Sequence, residues 1–333
     1  MTLDGDYMGN HQIPHPSFTL SNPRASDEAK RVMEYLSGTY TRYVIAGQHT
    51  NLARGGECEF IHRETGKYPA LRGFDLLSRT AGTETLEPTE HCLYEVQNNR
   101  GSLDTAIEWA AGGGLLTFCW HWFSPLIGRD KSFYTKNTGF DIRQALTDGT
   151  AEHAALMRDL DVIANELMKL KALRIPVLWR PLHEADGGWF WWGARGPEPY
   201  LALWRLMYEL FTGKYALDNL IWVHNAPADG WYVGDGYCDI TGSDIYSPNF
   251  DYDPLCAAFE RNRALCNGQK PVALTENGTI PDPGRMFGEG AYWMYFMSWD
   301  WDQSTDCWHR ITPEQLSAVY NHERVVTLDK LKL

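Results

Sequence analysis

The sequence predicts a (β/α)8 barrel, the TIM-barrel class, and three observations carry that prediction. Eight short apolar runs follow one another along an undivided chain of 333 residues. Helix-like patterns lie between several of them, and each run ends on polar or aromatic residues while its interior stays apolar. Strands alternating with helices build a parallel sheet. In the closed eightfold version the C-terminal ends of the strands open onto one face, where the active sites of this class sit. An open doubly wound sheet is the alternative, but no Gly-x-Gly-x-x-Gly loop follows the first strand.

Taken in order, Ser26 to Leu36 reads as a leading helix with Ser26 as its cap. The eight runs are Tyr43 to Gly47, Leu71 to Leu77, Leu115 to Trp120, Pro176 to Leu182, Leu220 to Val223, Ile240 to Tyr246, Pro271 to Thr275 and Tyr292 to Trp299. Among the helical patterns, Thr150 to Leu173 is the clearest, because Leu156, Leu160, Ile163, Leu167 and Leu170 recur at three- and four-residue steps. Ser102 to Ala111, Pro199 to Leu210, Pro254 to Leu265 and Pro313 to Tyr320 are the others. We expect one catalytic domain over residues 1–333, with a short N-terminal extension over about 1–25.

Composition narrows the partners. A net charge of −13 excludes nucleic acid and polyanionic substrates, which would be repelled, and leaves a neutral ligand. With 14 Trp, 17 Tyr and 13 Phe, aromatic faces are plentiful for stacking on sugar rings. No run of about 18 apolar residues is present, so no membrane span is expected. Residues 1–20 lack the basic-then-apolar pattern of a signal peptide; the expectation is a secreted monomer whose signal is not part of this sequence. The seven cysteines (Cys58, Cys92, Cys119, Cys238, Cys256, Cys266 and Cys307) include no Cys-x-x-Cys and no zinc spacing. Cys119 falls in an interior strand, and one or two disulfides among the others fit the count. Without a His-Glu-x-x-His, and with no His-x-His closing the first strand, no metal or other cofactor is expected.

The chemistry concentrates in residues 176–193, Pro-Val-Leu-Trp-Arg-Pro-Leu-His-Glu-Ala-Asp-Gly-Gly-Trp-Phe-Trp-Trp-Gly. An arginine inside an apolar strand and a His-Glu pair at its end are costly unless paired or used. Tryptophans in the following glycine-rich loop offer flat faces for a ligand. A carboxyl beside them is desolvated, which raises its pKa and suits Glu184 to the part of a general acid. A second apolar strand ends in Thr275-Glu276-Asn277-Gly278. On strands four and seven, Glu184 and Glu276 face each other across the barrel mouth, and two carboxyls in unlike environments are what glycoside hydrolysis requires. Arg180, brought to the same side by alternation, is placed to hold Glu276 ionised. Tyr246, at the end of strand six, is within reach of it. Alone, Glu184 is better read as a salt-bridged structural acid, and Glu276 is equally well read as an ion pair with Arg180; the His-Glu, Gly-Gly and Trp cluster around the first, and the pairing of the two, favour catalysis. Asn277-Gly278-Thr279 is the sole N-glycosylation triplet, and its position beside Glu276 argues that it stays unmodified.

Arg180-Pro-Leu-His-Glu-Ala-Asp-Gly-Gly-Trp-Phe-Trp-Trp-Gly, together with Thr275-Glu-Asn-Gly and Ser298-Trp299, resembles glycoside hydrolase family 26, along nearly the whole chain from Ala46-Gly-Gln-His to Trp299. The resemblance implies a retaining endo-β-1,4-mannanase, with β-mannan as its polysaccharide partner. It makes Glu184 the acid/base and Glu276 the nucleophile. His183 would contact the sugar beside the scissile bond, Trp189 would stack on the leaving-group side, and Trp299 would floor the glycone side. Tyr246 would orient the nucleophile, and His121 would line the −1 subsite. Trp120, Asp75 and Trp192 are given less defined subsite roles. Mixed-linkage β-glucanase and β-1,3-xylanase are the alternatives within the family. A non-catalytic sugar-binding protein and a metal-dependent barrel hydrolase are the rivals outside it.

Overall fold

In the computed structural model, which describes residues 18–52, 56–83, 93–126, 133–299 and 310–333, the alternation of strand and helix closes on itself. The strands are β1 (Val44–His49), β2 (Leu71–Asp75), β3 (Leu115–Cys119), β4 (Val177–Arg180), β5 (Leu220–His224), β6 (Ile240–Ile245), β7 (Val272–Asn277), β8 (Tyr295–Ser298) and β9 (Val325–Val326). All pairings among them are parallel, in the order β2-β3-β4-β5-β6-β7-β8-β1, with β1 also paired to β2, so the eight make a closed barrel. The two-residue β9 pairs with Val44 and Ile45, below the point where β2 joins β1. It is too short to give a periodic signal and is absent from the sequence reading.

The helices are α1 (Asp27–Thr39), α2 (Glu57–Thr65), α3 (Leu93–Asn98), α4 (Ser102–Ala111), α5 (Ile142–Ala145), α6 (Ala151–Ala172), α7 (Pro197–Glu209), α8 (Cys256–Leu265), α9 (Pro283–Glu289) and α10 (Pro313–Tyr320). Helix α1 starts at the expected cap, the Ser26 hydroxyl accepting from the Ala29 amide at 3.2 Å. Helix α6 is capped by Thr150 and buries Leu156, Leu160, Ile163, Leu167 and Leu170. Each such side chain stabilises the fold by about 1.5–3 kcal/mol on transfer from water. Four short helices escape the periodicity argument; α2, for instance, buries only Glu57, Cys58, Ile61 and Thr65.

Alternation divides the sheet's two faces. Leu178 packs in an interior cluster with Ile45, Leu71, Leu115, Ile221 and Ile240, closed from below by α1, while Val177 and Trp179 face the helix layer. Arg180 therefore points into the barrel. The expected strand through Leu182 stops at Arg180: Pro181 lacks a ladder donor, and Leu182 has a φ of 52°. Strand β7 departs from simple alternation. Ala273 is interior and Leu274 exterior, so strict alternation would turn Glu276 towards the helices. Register shifts against β6, at Ser243/Asp244, and against β8, between Leu274 and Asn277, re-aim it to the mouth.

Cys58, Cys119, Cys238, Cys256 and Cys266 are free thiols, Cys119 being buried as expected; Cys92 and Cys307 lie outside the described residues. Asn277 of the glycosylation triplet is buried, its side-chain amide bonded to Thr279 and Ser298.

Candidate active site

At the C-terminal face of the barrel lies a cavity of about 460 Å³, whose lining includes His49, Asp75, His121, His183, Glu184, Tyr246, Glu276 and Trp299. A second hollow of about 250 Å³ continues past Glu184, between Trp189, Asp186, Asn225 and Pro227. Glu184 borders both.

Two backbone features set Glu184 in place. It sits at φ 53°, a left-handed conformation that costs a non-glycine residue free energy, and the amide of Glu184 is held by Asn225, bonding both its carbonyl at 2.8 Å and its side-chain oxygen at 3.0 Å. The loop then folds tightly. A Cβ at Gly193 would meet the Ala185 carbonyl oxygen at 1.9 Å, so that position requires glycine, and one at Gly187 would meet the Trp189 ring at 2.1 Å and push it aside. Trp189 lies 48% exposed across this turn and donates its indole N–H to Glu184 Oε2 at 2.9 Å. Backbone bonds from Thr135 to Trp189 and from Trp191 to Phe133 pin the loop to the segment that follows β3.

Glu276 is held from below and from the side. Arg180 reaches through the barrel, giving Nη1 to Asp244 Oδ2 at 2.8 Å and Nη2 to Glu276 Oε1. The Tyr246 hydroxyl donates to Glu276 Oε2 at 2.6 Å. Asp244 Oδ1 accepts from Thr275 at 2.6 Å and from Asn225 at 2.7 Å, linking the supports of the two glutamates. One carboxylate oxygen from each of Glu184, Asp244 and Glu276 lies within 4.8 Å of the others.

This proximity governs the titration. Burial, then the Asp244 charge, raises Glu184 to about 7, and the Trp189 N–H and Arg180 pull back only in part. The same two causes raise Glu276, to about 8, and the two carboxyls repel each other, so they titrate as a pair. The Arg180 cation and the Tyr246 hydroxyl pull Glu276 back towards its ionised form. Both Glu276 oxygens face donors, one of them a cation, whereas Glu184 accepts only one indole N–H. Charge-assisted hydrogen bonds are about twice as strong as neutral ones, which favours the ionised form at Glu276 and the proton at Glu184.

On the opposite wall, His121 Nδ1 lies 2.5 Å from Asp75 Oδ2, and His121 Nε2 lies 3.2 Å from His183 Nε2. Burial opposes a charge on His121, but Asp75 more than reverses that and raises its pKa. Burial depresses His183 well below the ordinary histidine value and keeps it neutral. Trp299 stacks on His49, with ring centroids 4.1 Å apart.

Of the residues singled out from the sequence, Glu184, Glu276, His121, His183, Tyr246 and Trp299 line the main cavity, and Trp189 the adjoining hollow. Three are differently placed. Trp120 is buried, stacked on Trp122 and donating to Thr80; Trp192 is buried beneath Phe190 and donates to the His183 carbonyl. Both hold the wall from behind: Trp120 follows the end of β3 on its helix-facing side, and Trp192 lies in the loop after β4, packed under Phe190. Arg180 is likewise buried under the carboxylates it bridges. Asp244, near the end of β6, and Asn225, directly after β5, have no local signal that assigns them a role; the folded chain gives them one. Tyr134 and Arg310, in loops with no periodic signal, also line the cavity.

Two donor groups among the described residues are close enough to share an ion: Asp75 with Cys119 and His121, and Glu184 with Asp244 and Glu276. In each, a protein group already engages the carboxylates: His121 bonds Asp75, and Arg180 bridges Asp244 and Glu276.

Similarity to known proteins follows the same geometry. The profile of glycosyl hydrolase family 26 matches residues 21–330. The chain is 34% identical over 331 residues to a mannan endo-1,4-beta-mannosidase of Thermothelomyces thermophilus, covering 97% of this chain and 64% of that protein. It spans 53% and 50% of two Piromyces relatives, so about half to two thirds of the length of these curated proteins. Among solved structures, a Podospora anserina β-(1,4)-mannanase superposes with a TM-score of 0.85 at 36% identity, over 95% of this chain and 70% of that one. A β-mannanase from a symbiotic protist of the termite Reticulitermes speratus, complexed with gluco-manno-oligosaccharide, gives 0.83 at 30% identity, over 94% and 97%.

Proposed function

The chain belongs to glycosyl hydrolase family 26, and from that premise we propose that it is an endo-β-1,4-mannanase cleaving mannan, glucomannan or galactomannan with retention at the anomeric carbon. The observation that carries this reading is the approach of a Glu184 and a Glu276 carboxylate oxygen to within 4.8 Å. Retaining glycosidases hold their carboxyls roughly 5–5.5 Å apart, whereas inverting ones leave about 6.5–9.5 Å for a water. The names of the relatives support mannan as the polymer.

In the proposed reaction, sugar units on the glycone side occupy the cavity floored by Trp299, and the leaving units lie along Trp189. Glu184 gives its proton to the glycosidic oxygen as the Glu276 carboxylate attacks the anomeric carbon. Arg180 and Tyr246 keep Glu276 ionised and aimed until the bond forms. Glu184, now a carboxylate, takes a proton from water, which cleaves the glycosyl ester and restores both groups. Mannan is too large to cross a membrane intact, so the reading also has the enzyme exported to its substrate, as a hemicellulose-degrading hydrolase.

Chromatography of the products from glucomannan, galactomannan and barley glucan, run side by side, tests the assignment. Short manno-oligosaccharides from the first two are expected. Cleavage of barley glucan alone would overturn it in favour of a mixed-linkage glucanase.

A further inference from the structure

Asp75 stands at the end of β2, and two of the three hydrogen bonds its side chain makes are to one neighbour, His121. Its Oδ1 accepts the amides of Leu77 at 2.8 Å and His121 at 3.1 Å, and Oδ2 meets His121 Nδ1 at 2.5 Å. His121 in turn reaches His183, the residue before Glu184, with the two rings set edge to face at a centroid distance of 4.5 Å. Phe133, Phe190 and Trp299 enclose the His121 ring. The ionisable groups facing it from the surrounding strands are His49, Asp75, Cys119, Arg180, His183 and Glu276. Of these, only Asp75 touches His121 with a charge opposite to an imidazolium.

We infer that Asp75 is a positioning residue for the proposed reaction: its carboxylate locks the His121 ring and keeps both ring nitrogens protonated, so that His121 donates to His183 and sets a second positive charge beside Glu276. A carboxylate at Nδ1 demands a proton there, and a neutral His183 accepts at its Nε2 what His121 Nε2 donates. The chain Asp75–His121–His183 thereby joins β2 to the segment bearing the acid. The inference rests on the assignment of Glu276 as nucleophile, since its catalytic effect is exerted on that carboxylate.

The test uses the full chain labelled with ¹⁵N at histidine, with imidazole NMR read beside kcat/KM on an aryl β-mannobioside. That leaving group departs without a proton from Glu184, so the alkaline limb reports His121. In the wild type, His121 should titrate above free histidine and show a strongly deshielded Nδ1 proton. Asp75→Asn retains an oxygen for the two amides but offers an N–H to Nδ1. It should abolish that proton signal, lower the His121 pKa, move the alkaline limb to lower pH, and reduce kcat/KM about tenfold, as for one lost charge-assisted hydrogen bond. His121→Gln should remove the limb altogether. If Asp75→Asn does not fold, the wild-type titration and His121→Gln decide. A His121 that is neutral at about pH 6 in the wild type, or an alkaline limb unmoved by the variants that fold, overturns the inference. The NMR is read without substrate, so an inactive wild type would strike the proposed function alone.

Discussion

Tyr246 holds its hydroxyl 2.6 Å from Glu276 Oε2 while its ring stands 47% exposed at the cavity wall. The bond lowers the Glu276 pKa against the burial that raises it. Tyr246→Phe removes the bond and leaves the ring. Because a nucleophile must be ionised, kcat/KM should fall, by about 10–100-fold for a hydrogen bond to a charged group, and the acid limb of its pH profile should move to higher pH. An unchanged acid limb would show that Tyr246 does not act on Glu276.

Arg180 is the only cation bonded to the paired carboxylates Asp244 and Glu276 among the described residues. Arg180→Met strands both, a loss of about 3–5 kcal/mol expected of a broken buried ion pair, measurable by urea denaturation. The sign with pH follows. Stranded acids bind protons more tightly folded than unfolded, so the deficit should be greatest near neutrality and shrink as pH falls.

Trp189 offers two contributions that separate cleanly. Its N–H pulls the Glu184 pKa down from the value set by burial and Asp244, leaving it at about 7. A general acid works only while protonated, so activity on mannan should decline as pH rises through that value. Trp189→Phe keeps an aromatic face and deletes the donor, which should shift this decline to higher pH. Trp189→Ala should in addition weaken oligosaccharide binding by about 1–3 kcal/mol, taking aromatic stacking on bases as the analogue, read as a rise in KM.

Gly193 stands where a Cβ would lie 1.9 Å from the Ala185 carbonyl oxygen. Gly193→Ala must displace the backbone one residue from Glu184. The expected cost is about 1–3 kcal/mol, typical of overpacking, seen as a lowered Tm together with reduced kcat.

The sequence was most readable where one local signal sufficed. Thr150 and the leucines behind it define α6, and apolar runs ending in His183-Glu184 or Thr275-Glu276 mark strands that deliver charge to one face. It was least readable where the backbone departs from the regular pattern. Alternation alone points Glu276 away from the cavity, and only the register shifts on either side of β7 bring it back. Trp120 and Trp192 show the converse: aromatic residues beside functional ones, yet turned to the rear of the wall. Asp244 and Asn225 acquire their role only because β5, β6 and β7 are adjacent, a relationship no single stretch encodes.

The central claim is that Glu276 forms a covalent bond to the sugar while Glu184 supplies and then recovers the proton. Its most direct measurement combines ¹H NMR of the first-formed product with mass spectrometry of protein inactivated by a 2-deoxy-2-fluoro-mannosyl fluoride. We predict that the β-anomer appears first and that the trapped sugar lies on the peptide containing Glu276. First formation of the α-anomer, or a label carried by any other residue, would contradict the account.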